Sequence, residues 1–194
     1  DIMEYKFKTE PYAHQLKALG ASHNKENFAL FMEMGTGKSK VLVDNIAMLY
    51  DKGKINAALI VAPKGVYRNW ERQEIPIHMP DHIVHNVVTW SPATTKKQQN
   101  ENLKLFKHGE QLTIFLMNIE AFSTKKGLDI AKRFLLAHQT LMAIDESTTI
   151  KSPTARRTKN VVKLRNYAKY RRILTGSPVT KSPLDLYTQC YFLD

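Results

Sequence analysis

A single cysteine, Cys190, stands in 194 residues, so no internal disulfide can form, and nothing suggests a cysteine-based metal site. No apolar run approaches the roughly 20 residues that cross a bilayer. The opening stretch, DIMEYKFKTEPY, lacks the apolar core of a signal peptide and starts at Asp, as a processed chain or an excised fragment would. These absences favour a reducing, cytoplasmic compartment, or the nucleus if the source is eukaryotic, and no membrane partner. Acid is scarce too: 18 Asp and Glu face 29 Lys and Arg, for a formal net charge of +11. From Lys151 to Arg172 there is no acid at all among nine basic residues. Such an excess predicts a polyanionic partner, with nucleic acid first in line.

What is present is 43% hydrophobic and 24% charged, enough apolar content for a sizeable core in one domain or one large lobe. Short apolar runs predict strands at 28–32, 57–62, 83–89, 112–117, 141–145 and 172–175. Between them, amphipathic segments predict helices at 38–50, 66–75, 96–107, 128–138, 154–170 and 183–193. Several strands are apolar throughout, as a parallel sheet covered on both faces requires, and their alternation with helices predicts a right-handed, doubly wound α/β fold. The polar stretch SPATTKKQQNEN at 91–102 reads as a surface loop running into a polar helix.

The stretch FMEMGTGKSK carries the clearest chemistry. An apolar strand leads into a glycine-containing turn, and Lys-Ser then opens a helix. Gly35 and Gly37 allow a tight turn whose N–H groups face phosphate oxygens, with Met34 and Thr36 between and before them in the loop. The helix adds its positive end, Lys38 reaches for the β- and γ-phosphates, and Ser39 is placed for Mg²⁺. Met32 stands where the simplest phosphate-loop pattern has glycine. Val41, Ile46 and Leu49 fit the buried side of the helix, with Val43 at its edge. Downstream, the apolar run LMAID delivers Asp145 and Glu146 at a strand's C-terminal end, where open α/β sheets bind ligands. Asp145 suits the Mg²⁺ shell, and Glu146 suits polarising a water for attack on the γ-phosphate.

In this order the motifs resemble the first RecA-like lobe of a superfamily-two helicase or translocase of the Swi/Snf-related branch. The resemblance runs from about Pro11 to the end. It implies a three-layer P-loop domain over residues 1–194, its mainly parallel sheet covered by helices on both faces, with the second lobe outside this chain. Pro11-Tyr12-Ala13-His14-Gln15 resembles the family's glutamine motif, which makes Gln15 the adenine reader; Tyr12 is expected in the core, the alternative being a stack on the base. In the family's phosphate loop the early glycine is often replaced, so Met32 is no defect. Ile60–Val66 with Asn69-Trp70 resembles a segment that touches nucleic-acid backbone in relatives, which implicates Lys64 and the Gly65 amide, with Trp70 expected in the core. Phe115–Glu120 loosely resembles another such segment and adds Asn118. Thr148 and Ser152 stand where the family often has His and Asn, which puts the family's coupling route in question. The segment RILTGSP resembles the third motif, so the hydroxyls of Thr175 and Ser177 are candidates to link the acidic pair to the DNA side.

Val161, Leu164 and Ala168 give the basic segment a core side and leave Arg156, Arg157, Lys159, Lys163, Arg165 and Lys169 mostly outside. Such a face would meet nucleic-acid backbone rather than bases. No aromatic and basic alternation marks a platform for single strands, and the resemblance implies tracking of double-stranded DNA. The expected function is the ATP- and Mg²⁺-binding half of a DNA-dependent ATPase motor, nearly inactive without a second lobe. The rivals are a non-catalytic basic binding module and the motor lobe of a restriction nuclease.

Overall fold

The computed structural model describes residues 2–32, 37–145, 156–176 and 191–193. Its centre is a six-stranded sheet of β1 (Asn27–Phe31), β2 (Ala57–Ala62), β3 (His85–Thr89), β4 (Leu112–Asn118), β5 (Thr140–Asp145) and β6 (Tyr170–Thr175). The spatial order is β1-β6-β5-β2-β4-β3, and every pairing is parallel. All six strands therefore end on the same edge. The fold is the RecA-like α/β architecture expected.

Side chains that alternate along a strand reach opposite faces. In β2, Ala58, Ile60 and Ala62 join one core layer while Ala57, Leu59 and Val61 join the other. In β5, Leu141 and Ala143 lie on the first face, Met142 and Ile144 on the second. Helices α1 (Ala13–Ser22) and α2 (Lys38–Asp51) cover the first face; α6 (Lys125–Ala137) and α7 (Arg156–Leu164) cover the second. Burial on both sides explains why the central strands read as unbroken apolar runs.

Three expectations need correction. First, α2 is buried all round from Lys40 to Leu49, so Val43 is core rather than edge. The cause is the N-terminal segment, which lies across the helix: the Tyr5 hydroxyl donates to Asp51 at 2.7 Å, and Phe7 packs under Lys40. Second, the helix predicted over 66–75 is three pieces: α3 (Tyr67–Asn69), a π turn (Trp70–Glu74) and α4 (Ile75–His78). The Ile75 N–H bonds to the Trp70 carbonyl five residues back, and Pro76 has no N–H to offer Arg72. Third, the helix predicted to run to residue 170 stops at Leu164 and passes through a 3₁₀ turn, Arg165–Tyr167, into β6. Sheet pairing wins there, with Tyr170 in register with Leu141 and Arg171 with Asn27. The polar stretch behaves as read: the Thr95 hydroxyl accepts the Gln98 N–H and caps α5 (Lys96–Leu103), which buries nothing. Helix α1 escaped the sequence reading, because its buried side carries Gln15 and Ser22 beside a single leucine, Leu19.

Among the described residues no helix is long and apolar enough to cross a membrane.

Candidate functional site

Gly37 caps α2 in the left-handed conformation (φ 80°, ψ 37°). Only glycine takes that shape at low cost. A Cβ there would also displace the Gln15 amide from its bond to the Gly37 carbonyl, so the backbone conformation fixes the glycine and the close amide adds to it. Lys38 and Ser39, both half-buried, fill the first turn of a 14-residue helix whose start carries no acid. The N–H groups and partial positive charge of that helix end are suited to phosphate. Met34, Gly35 and Thr36 lie outside the described residues.

Gln15 reaches Gly37 from α1. Its Nε2 donates to the Gly37 carbonyl at 3.3 Å, and its Oε1 accepts the Tyr12 N–H at 2.8 Å. Tyr12 is not core: it is 71% exposed and stacks on His14, because as the residue capping α1 it projects from the helix start.

Asp145 ends β5 on the same edge of the sheet. By alternation it shares the face of Leu141 and Ala143, where Trp70 is packed. The Trp70 indole N–H donates to Asp145 Oδ2 at 3.0 Å, with the two residues 1% and 4% exposed. Trp70 is core, as expected, but its polar edge is part of the site. Glu74, at the end of the same π turn, has its carboxyl pushed up, first by burial and then by the Asp145 charge. Thr175 is buried and sits in register with Phe31, its carbonyl accepting the Met32 N–H at 3.1 Å, while Leu174 is in register with Asp145. The strand of the third motif thus runs between the phosphate strand and the acid strand. Glu146, Thr148 and Ser177 lie outside the described residues.

Inside α2 lies a pair that sequence reasoning missed. Lys40 Nζ bonds Asp44 Oδ2 at 2.8 Å, both side chains almost wholly buried. Burial pushes the Asp44 carboxyl up to about 6 against the opposing pull of Lys40. His78, which bonds the Thr9 hydroxyl at 2.8 Å, is pushed down by burial and by Lys40. The i,i+4 spacing was visible in the sequence; the covering segment was not.

The presumed nucleic-acid residues gather at the ends of β2 and β4. Lys64 and Gly65 are exposed in a turn closed by the Val66 and Tyr67 N–H groups on the Pro63 carbonyl, at 2.9 and 3.0 Å. Lys64 and Asn118 line one cleft of about 360 Å³ with Arg68, Trp90, Glu120 and Thr124. Asn118 is largely buried, and its Oδ1 accepts the Ala121 N–H at 2.9 Å, which leaves its Nδ2 and the second Oδ1 lone pair for a ligand. The basic helix α7 adjoins this region: Asn160 Nδ2 donates to the Phe122 carbonyl at 2.6 Å, and Arg157 lies 3.8 Å from Glu120. Arg156, Lys159 and Lys163 are exposed, whereas Val161 and Leu164 are buried, as the helical spacing required; Ala168 is buried too, but in extended chain beyond the helix.

Among the described residues no three His, Cys, Asp or Glu side chains gather into a metal cage. A hydroxyl such as Ser39 with one carboxylate such as Asp145 is instead the oxygen donor set that Mg²⁺ shares with phosphates and water.

The fold is similar to that of a SWI2/SNF2 ATPase core from Sulfolobus solfataricus in complex with dsDNA, with a TM-score of 0.74 and 21% identity over 98% of this chain and 37% of that one. It is also similar to the UvsW helicase from bacteriophage T4, with a TM-score of 0.64 and 13% identity over 93% of this chain and 58% of that one. In sequence, 179 residues are 24% identical to a Caenorhabditis elegans SWI/SNF-related matrix-associated actin-dependent regulator of chromatin, the subfamily A, DEAD/H box 1 homolog. That match takes in 92% of this chain but only 17% of the relative's length. Residues 14–194 match the SNF2-related domain. The chain belongs to the SNF2-related domain family.

Proposed function

We propose that this chain is the ATP-binding lobe of a DNA-dependent ATPase motor, completed by a second lobe of the same parent protein. One observation carries the reading. A helix start capped by a left-handed glycine and a buried carboxylate lie on the same strand-tip edge, with the third-motif strand between them. The loop Met34, Gly35, Thr36 and Gly37 holds the phosphates through backbone N–H groups, and Lys38 neutralises the β- and γ-oxygens. Gln15 faces adenine with the second N–H and second lone pair that its amide keeps after bonding Gly37 and Tyr12. Ser39 and Asp145 hold Mg²⁺, which supplies charge neutralisation at the phosphoryl oxygens. Glu146 orients and polarises the attacking water. Hydrolysis stays slow until arginines of the second lobe reach the site, a contribution of about 10³–10⁵ in rate in phosphoryl-transfer enzymes.

The partner is the backbone of double-stranded DNA. Lys64 and Asn118 line one cleft, with exposed Gly65 next to Lys64 in the adjoining turn and the exposed basic face of α7 beside it. Thr175, with Ser177 and Thr148, relays between this face and the acids. Backbone contacts of this kind give binding that weakens steeply with salt and reads no base sequence.

The test compares this chain alone with the chain joined to its second lobe. Alone it should bind nucleotide weakly and turn over very slowly, with or without duplex DNA. Joined, it should show DNA-stimulated hydrolysis that Glu146→Gln abolishes while DNA binding persists. Brisk DNA-stimulated turnover by the chain alone would overturn the two-lobe requirement. A joined protein whose behaviour ignores Glu146→Gln would instead be a basic binding module.

A further inference from the structure

We propose that Trp70 is a positioning residue that fixes the Asp145 carboxylate for a divalent cation and ties it to the exposed Pro63–Val66 turn. The inference rests on the reading of Asp145 as part of a Mg²⁺–nucleotide site. An indole N–H can only donate, and an ionised carboxylate can only accept, so the Trp70–Asp145 bond has one polarity and keeps it. Both residues are buried, so water does not compete for either end. A bond of 3.0 Å on Oδ2 sets rotation of the carboxylate, and with it the direction in which both oxygens point. A neutral donor does this without adding a charge that would repel the cation.

The indole is itself held from the other side. The turn of residues 63–66 is closed on the Pro63 carbonyl by the N–H groups of Val66 and Tyr67. Tyr67 is anchored through its hydroxyl to the Trp90 carbonyl at 3.2 Å, and three residues on, Trp70 opens the π turn. Single π turns inside helices recur at functional sites. The path from exposed Lys64 to Asp145 is therefore a short run of chain, hydrogen-bonded at Val66 and Tyr67, ending in one side-chain bond. It does not pass through Thr148, the position where the family's usual histidine is missing. Displacement of the turn by a bound backbone would be felt at the carboxylate through the indole.

The chain's affinity for the fluorescent nucleotide mant-ADP, with and without Mg²⁺, tests this in wild type, Asp145→Asn and Trp70→Phe. Wild type should bind more tightly with Mg²⁺, and Asp145→Asn should lose that increment. Trp70→Phe should weaken the apparent Mg²⁺ affinity about 10–100-fold, as loss of an outer partner of a metal ligand does, and leave Mg²⁺-free binding unchanged. A wild type without the increment, or an Asp145→Asn variant that keeps it, defeats the metal reading itself. An increment lost in Asp145→Asn but intact in Trp70→Phe defeats only the role of Trp70, as does a Trp70→Phe variant that loses Mg²⁺-free binding equally. Should Trp70→Phe fail to fold, the chain's two tryptophans give two indole N–H resonances. Mg²⁺ added to the ADP-saturated wild type should move one of them, and Asp145→Asn should move the same one. Two stationary signals overturn the inference.

Discussion

Buried ions at this site carry opposite consequences when removed singly or together. Lys40 and Asp44 neutralise each other, with the Lys40 ammonium over the Phe7 ring, and Asp44 Oδ1 has no hydrogen-bond partner among the described residues. Removing one partner strands the other, so Asp44→Ala should cost ~3–5 kcal/mol of stability in chemical denaturation, whereas Lys40→Met with Asp44→Leu should be neutral or stabilising. The pH dependence has an unusual sign. The Asp44 carboxyl is raised in the fold to about 6, above its ordinary value of 3.8, so the folded state takes up the proton first. Stability contributed at Asp44 therefore grows as pH falls through about 6 and is absent above it. Wild type should gain on the double variant between pH 7 and 5; a constant difference would contradict the buried-charge account. The pair was legible as a spacing but not as an energy, since burial came from Tyr5 and Phe7, some 35 positions upstream, and nothing near the helix in sequence announces that contact.

Elements were read most faithfully where one physical signal dominated. The apolar runs of β2 and β5 reproduced to within a residue because both faces of those strands are buried. Boundaries slipped where chain-distant contacts decide, as where β6 pairing cuts short the periodic basic segment. The start of α6 is such a case. The Thr124 hydroxyl accepts the Gly127 N–H at 3.0 Å, so the helix begins at Lys125, three residues before its apolar periodicity becomes visible. Gly127 packs against the Ala121 carbonyl so closely that a Cβ does not fit. Gly127→Ala should therefore destabilise the chain by about 1–3 kcal/mol despite alanine's better helix propensity, as thermal unfolding would report. A stabilised variant would mean that the Ala121–Thr124 turn yields freely. The Trp70–Asp145 bond was illegible for a related reason: it needs the facing of β5 and the π turn together, and neither residue's neighbours in sequence announce it.

Across the whole molecule, one side chain joins elements that the sequence keeps far apart. Arg172 is fully buried in β6 and makes five hydrogen bonds, to Asn45 in α2 and to the carbonyls of Ser22, Lys25, Glu26 and Arg171. None of these acceptors is a carboxylate, and burial pushes the guanidinium down to about 10. The planar five-donor fork is what fits, so Arg172→Lys should lose several kcal/mol of stability and loosen nucleotide binding through α1 and Gln15, seen together in denaturation and in mant-ADP titration. Retained stability would show that charge, not the fork, is what the fold needs. The sequence placed Arg172 in a strand; only the assembled fold reveals its partners.

The strand order bears on how the protein is made. Among the described residues β1 pairs only with β6, so the strand that presents the phosphate turn has its sheet neighbour about 140 residues later in the chain. During synthesis from the N-terminus, β2, β3, β4 and β5 can assemble with one another while β1 still has no strand to join. The proposed nucleotide site is thus completed only once β6 docks, although its loop is translated early. Competence to bind nucleotide would then report that residues through Thr175 have emerged and docked.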